Sequence, residues 1–218
     1  MRWSLAWFLM STTTALAMPA EVVSIIKDEA EKAGVDSAYA LVVADIESSG
    51  SCLVATGSYR GLYQLSDAEF QRFGGRNIWD CRQNARVAFA KMVGEADTFR
   101  TANGHDPTAL ELYLIHQQGP EGQAAHYNHL DMPAWKSLQL YTREGAQRGM
   151  DWSQRAVWGN VPADKRPQFG DVFNITSRQF IEVWRTTMDR KLAAFSDTSS
   201  ERYQCLVPEE QLRQWRGK

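Results

Sequence analysis

Cysteine is scarce in this chain, with three residues among 218, at positions 52, 81 and 205. That is too few for a disulfide framework to replace a hydrophobic core. Excess charge of one sign is also missing: 24 Lys and Arg stand against 26 Asp and Glu, a formal net charge of −2. Such a chain lacks the clustered positive charge on which non-specific nucleic-acid binding runs, so no nucleic-acid partner is expected. No apolar run approaches the ~20 residues that a membrane-spanning helix needs. Glycine-rich phosphate loops, CxxC pairs, an HExxH helix and a GxSxG elbow are all absent, which removes the enzyme classes that those motifs mark. Internal repeats and low-complexity linkers are absent as well.

What is present begins with a leader. Met1 and Arg2 precede a short apolar run from Trp3 to Met10, and Ala15-Leu16-Ala17 closes it with small residues. That order of basic start, apolar core and A-x-A end predicts a secretory signal peptide over residues 1–17. The chain is therefore expected to be exported, periplasmic or secreted, with no permanent membrane anchor. Its remainder is long enough for one well-buried core and an appended lobe. Export favours a disulfide, because the compartment beyond the inner membrane is oxidising. Three pairings can be drawn from Cys52, Cys81 and Cys205. Cys52 with Cys81 is expected, since it closes a short span and ties the loop after Glu47 to the start of a later helix. Three buried free thiols are the alternative.

Helical periodicity dominates. Val22, Ile25, Ile26, Ala30 and Ala33 share one face, and Gly34 is placed to stop that helix. Asp36 or Ser37 caps the next, residues 38–48, whose Ala38, Ala40, Leu41, Val42, Val43, Ala44 and Ile46 are apolar on every side; a helix of that kind is buried. Residues 50–65 turn to small and turn-forming types, predicting a small β-rich or irregular excursion. Ser66 and Glu69 form a capping box, Asp80 opens a long helix, and Asp106-Pro107 is expected to start another that ends at Gly119-Pro120. Shorter helices follow around 121–129, 133–140 and 152–158, and a stronger one from Thr176-Ser177 carries Phe180, Ile181, Val183, Trp184, Met188 and Leu192. Residues 159–174, with Pro162, Pro167 and Gly170, suggest a lobe boundary. The class is mainly α.

One carboxylate stands in an odd place. Glu47 lies at the end of the all-apolar helix, where burial and the negative end of the helix dipole would both raise its pKa, as a general acid at neutral pH requires. Asp45 competes on equal terms, because its neighbours Ala38, Leu41 and Val42 are also apolar, and periodicity does not choose between them. His126 and His129 are three apart, but nothing nearby completes a metal set; they are read as surface histidines, and neither metal nor cofactor is expected.

Four ordered segments carry a resemblance. A helix ending in Glu47-Ser48, then Gly61-Leu62-Tyr63-Gln64, then Asn77-Ile78-Trp79-Asp80, then ALELYLIHQQGP over residues 109–120 resemble the catalytic core of the soluble lytic transglycosylases. There the corresponding elements read Glu-Ser, Gly-Leu-Met-Gln, Asn-Leu-Phe-Asp and Ala-Leu-Ala-Ala-Tyr-Asn-Ala-Gly-Pro. Tyr63 stands in place of the usual Met, His116 where the pattern has Tyr, and Gln117 where it has Asn. The resemblance runs from Val22 to about Leu130 and implies a lysozyme-like fold over residues 18–158, with 159–218 as a helical extension packed on it.

The resemblance also implies a chemistry. Enzymes of this family cut the β-1,4 bond between N-acetylmuramic acid and N-acetylglucosamine with a single carboxyl group, here Glu47. Ser48 would hold that carboxyl group or the substrate acetamido group, Gln64 would fix a sugar, and Gly61 would let the glycan approach closely. Tyr59 and Tyr63 are candidates for stacking on glycan rings. His116 and Gln117 would contribute contacts near the acetamido group. The partner is then the peptidoglycan glycan strand, met by a monomer working in wall turnover or beside a secretion, flagellar or other envelope-spanning apparatus. A hydrolytic muramidase of goose type and a non-catalytic glycan-binding or assembly protein are the rival readings.

Overall fold

The structure is a computed structural model that describes residues 18–196. The expected leader, Cys205 and the end of the expected extension lie outside the described residues. Eight helices and one small sheet follow in chain order among them.

Helix α1 (Ala20–Ala33) stops at Gly34, as its sequence requires. Its buried Glu29 is gripped by Lys32 at 2.9 Å, Arg82 at 2.7 Å and Arg86 at 3.1 Å. Two of those cations belong to α4, so a carboxylate on one helix and guanidinium groups on another fix how the pair meet. Helix α2 (Ser37–Ser48) starts where the Asp36 side chain accepts from the Tyr39 amide at 2.7 Å. Ala40, Val42, Val43 and Ala44 have no exposed surface at all. The helix apolar on all sides is, as expected, the buried one.

After α2 the chain makes a three-stranded antiparallel excursion of two-residue strands, β1 (Ala55–Thr56), β2 (Tyr59–Arg60) and β3 (Leu65–Ser66). The Ser66–Glu69 capping box then opens α3 (Asp67–Arg72), and Asp80 caps α4 (Cys81–Asn103). Helix α5 (Ala109–Asn128) is capped by Thr108 with Glu111, not by the expected Asp106-Pro107, because Thr108 is the residue whose hydroxyl meets the N3 amide. Its expected stop is a break instead: Gly119 leaves the helix at φ 71°, ψ 167°, and Pro120 restarts it in a new direction. Proline fits there because a first-turn position needs no N–H donor.

Helices α6 (Ala134–Tyr141) and α7 (Arg143–Gly159) pack on one another, and two short 3-10 turns lead to α8 (Ser177–Ser196). Thr176 and Gln179 cap α8 reciprocally. Helix α8 packs against α2 and α5, and Phe180, Ile181, Trp184 and Met188 belong to the same apolar cluster as α2. No helix among the described residues is long and apolar enough to cross a membrane.

Cys52, in the turn after α2, is bonded to Cys81, the first residue of α4, across a sequence separation of 29. That bond closes a loop containing the entire β excursion and α3. By loop-closure entropy it contributes on the order of 3 to 4 kcal/mol. Cys52→Ser should therefore lower the melting temperature by roughly 10 °C, read by calorimetry. Non-reducing peptide mapping should recover the 52–81 linkage.

Candidate functional site

The last turn of α2 presents its two acids to different neighbours. Asp45 forms an ion pair with Lys191 of α8. Glu47 accepts a hydrogen bond at Oε1 from the Tyr113 hydroxyl of α5, at 3.0 Å. Two residues of separation on a helix is about 200° of rotation, so the two acids face opposite ways, and periodicity left them equal because both faces are apolar.

Glu47 is desolvated without being sealed, since 18% of its side chain remains exposed. Burial pushes its pKa up to about 7, while the Tyr113 hydrogen bond and the charge of Lys91 act against that rise. The phenol of Tyr113 is itself driven upward by burial and by the neighbouring Glu47, so it stays a neutral donor. His116, one turn further along α5, places Nε2 4.0 Å from Glu47 Oε1. Its ring is held neutral, with a pKa lowered to about 3 by burial and then by the charge of Lys91, the Tyr63 backbone opposing. A neutral imidazole leaves the acid protonated, whereas an imidazolium at that distance would pull a proton out of it. Gln117 donates from Nε2 to the Tyr113 hydroxyl at 3.3 Å. The side chains expected at 116 and 117 thus gather at Glu47, but the phenol comes from Tyr113, one turn before the place where the resemblance puts it.

The turn from Gly61 to Gln64 is built inward. Ser48 does not hold the Glu47 carboxyl group: its buried hydroxyl donates to the carbonyls of Leu62 at 2.8 Å and Ala44 at 3.1 Å, bracing the helix end against the turn. Packing by itself requires the glycine at position 61. Its φ is +80°, and a Cβ there would lie 2.3 Å from Asn84 Nδ2 and 2.7 Å from the Ile78 carbonyl oxygen. Tyr63 is no stacking platform, because it is fully buried, donates to the Ala40 carbonyl at 3.0 Å and meets Phe89 edge-on. Gln64 spends its amide nitrogen on the carbonyls of Gly61 at 2.7 Å and Val54 at 3.1 Å, leaving Oε1 buried without a partner. Tyr59 is the exposed aromatic of the excursion, with 49% of its surface open. Burial and the charges of Glu69 and Glu144 raise its pKa against Arg148 and Lys91, which puts α7 within electrostatic reach of β2.

Three contributors escaped sequence reasoning. Asn84, fully buried at the start of α4, accepts from the Tyr63 amide at 2.9 Å and donates to the Ile78 carbonyl at 3.0 Å. An amide on the apolar side of a capped helix was the available signal. Tyr113 lies inside the ALELYLIHQQGP segment, where the resemblance assigns it no role, and Trp184 of α8 packs on its ring at 4.9 Å. Lys91 is buried on α4, paired with Glu95 at 2.9 Å and with Glu69 at 3.6 Å.

The histidines read as a surface pair are not alike. His126 is wholly buried, hydrogen-bonded through Nδ1 with Ser177 at 3.1 Å, and burial lowers its pKa to about 4. His129 stacks on Tyr141. Among the described residues no cluster of His, Cys, Asp or Glu is suited to a metal ion.

The Glu47 pKa, raised from 4.5 to about 7, ties stability to pH. The folded state favours the neutral acid, so this contribution is complete below pH 4.5 and is lost as pH rises through about 7. Glu47→Gln cannot ionise and escapes that loss. It should match the parent in acid and exceed it at pH 8 by on the order of 2 to 3 kcal/mol in denaturant titrations. Tyr113→Phe removes a bond to the charged form and should move the Glu47 titration midpoint upward, read by carboxyl-carbon NMR. Compared with protein-family models and with curated proteins, the chain matches none.

Proposed function

We propose that this chain is a peptidoglycan lytic transglycosylase of lysozyme-like fold, acting on glycan strands outside the cytoplasm with Glu47 as its single acid and base. The observation that carries this reading is the Glu47 carboxyl group: desolvated, still reachable from solvent, and half-protonated near neutral pH under a phenolic donor. A group with a pKa close to the working pH is suited both to giving up a proton and to taking one back. The segment over residues 109–120 brings Tyr113 and His116 to this group, and the Gly61–Gln64 turn, held by Asn84, packs on the neighbouring Ser48, which supports the resemblance.

In this reaction the protonated Glu47 delivers its proton to the glycosidic oxygen as the bond from muramic C1 to that oxygen breaks. The positive charge left at C1 is met by the substrate's own acetamido oxygen. Glu47, now a carboxylate, takes the proton from the muramic C6 hydroxyl, and that oxygen bonds to C1 to close a 1,6-anhydro ring. The acid is restored and no water is consumed. Both stabilisation and nucleophile come from the substrate, so the second carboxylate of ordinary glycosidases is not required. The neighbouring acids are engaged in ion pairs, Asp45 with Lys191 and Glu69 and Glu95 with Lys91. Tyr113 would keep Glu47 oriented in both protonation states, and neutral His116 would offer a ring nitrogen to the substrate beside it.

Digestion of purified peptidoglycan, with product masses read, tests the proposal. The parent chain should release 1,6-anhydromuramyl products, Glu47→Gln should release none while remaining folded, and Asp45→Asn should retain most activity. Cleavage should decline above about pH 7, tenfold per unit, as the acid loses its proton. Reducing-end products would assign a hydrolase instead, and an active Glu47→Gln chain would overturn the choice of acid.

A further inference from the structure

Gln117 lies one turn of α5 beyond Tyr113, and residues four apart on a helix share a face. In the motif that this segment resembles, the amide follows the phenol directly, and on a helix the two would point about 100° apart. A phenol at position 113 therefore makes a pairing that the motif does not have. Gln117 Nε2 donates to the Tyr113 hydroxyl at 3.3 Å, and that hydroxyl donates onward to Glu47 Oε1 at 3.0 Å. The amide is kept there at a cost, since its Oε1 is buried with no partner, and an apolar side chain of the same length would spare the fold that loss.

A phenol carries one hydrogen and can both donate and accept, so its direction at an acid has two solutions. Trp184 packs on the Tyr113 ring at 4.9 Å and His116 stacks on it at 6.4 Å, which leaves the hydroxyl rotor as the remaining freedom. With the amide N–H directed at the phenolic oxygen, the hydrogen goes to Glu47. Both polar neighbours of the carboxyl group, Tyr113 and His116, meet it at Oε1. The hydroxyl oxygen of a carboxylic acid is its poorer acceptor, so an acid that accepts at Oε1 carries its own proton on Oε2. In the reverse arrangement Oε1 would hold the proton and give it to the phenol, away from a substrate. The titratable groups that face Tyr113 are Glu47 and Tyr39 of α2 and His116 of α5.

We propose that Gln117 is a positioning residue for the reaction described above: its amide commits the Tyr113 hydrogen to Glu47 Oε1 and so places the acid's proton on Oε2. Its role in turnover rests on that proposed function; its effect on the carboxyl group rests on the hydrogen-bond chain alone. Gln117 acts through the phenol and not as the substrate contact that the motif implies. Donation into the phenolic oxygen also polarises the O–H, which strengthens its bond to the Glu47 carboxylate. Loss of the amide therefore makes that carboxylate harder to form, but only while the phenol is present.

The experiment is a double-mutant cycle read by carboxyl-carbon NMR titration of Glu47 in the folded full chain, in Gln117→Met, in Tyr113→Phe and in the two combined. Gln117→Met should raise the Glu47 midpoint by roughly half a unit, and in the Tyr113→Phe background the same change should move it far less. The melting temperature of Gln117→Met should stay at or above the parent's, because an unpaired buried oxygen is removed. On peptidoglycan its kcat should fall several-fold with KM little changed, and the alkaline limb should follow the midpoint. A midpoint that does not move, or that moves as far without the phenol, would overturn the proposal. So would a raised KM at unchanged kcat, which would return Gln117 to the substrate. Should Gln117→Met fail to fold, Gln117→Asn, whose amide stops one methylene short of the phenol, decides by the same cycle. The titration needs no cleavage, so an inert parent chain would count against the proposed function and not against this hydrogen-bond chain.

Discussion

Ionising Glu47 costs free energy because most of the water that would solvate its carboxylate has been excluded, and the surrounding structure is arranged around that cost. Helix α2 supplies the exclusion: it is apolar on all sides and enclosed by α1, α8 and the turn that follows it. Burial is the largest influence on the carboxyl group, and the Tyr113 hydroxyl and the Lys91 ammonium only partly offset it. The result is a group close to balance between its two forms. Deeper burial would leave it a permanent acid, and a nearer cation would leave it a permanent carboxylate. A neutral His116 matters for the same reason.

Holding that balance requires a rigid floor, and the polar residues in and around the Gly61–Gln64 segment provide it. Ser48, Gln64 and Asn84 direct their hydrogen bonds at backbone carbonyls and amides of the turn, and Gly61 makes room for the Asn84 amide. The disulfide closes the same segment from outside. Buried backbone groups in an irregular loop have no ladder partners, so side chains must satisfy them. Residues that resemble substrate-binding positions in a motif are here the scaffold of the loop that bears them.

Distant parts of the chain are bound into the same arrangement. Trp184 of α8 packs on the ring of Tyr113, and Lys191 of α8 pairs with Asp45 two residues before Glu47. The site is thus assembled from α2, α4, α5 and α8. A change in α8, well over a hundred residues along the chain, would be felt at the acid through the phenol that orients it.

The amino-acid sequence by itself determined the local features whose causes are local. The helix stop at Gly34, the caps at Asp36, Ser66 and Asp80, the buried α2 and the interrupted excursion before Ser66 follow from periodicity and capping chemistry within a few residues. Cys52 with Cys81 was legible as well, since few pairings existed. Periodicity left Asp45 and Glu47 equal and the resemblance alone favoured Glu47; only the tertiary structure shows what other helices bring to each, Lys191 to Asp45 and Tyr113 to Glu47. It alone made Tyr113 the donor to Glu47, turned Ser48 and Tyr63 inward, buried His126 and paired the buried Lys91 with Glu69 and Glu95. The physical reason is common to all of these. Solvation and charge at a side chain are summed over neighbours far away in sequence, and no window along the chain contains them.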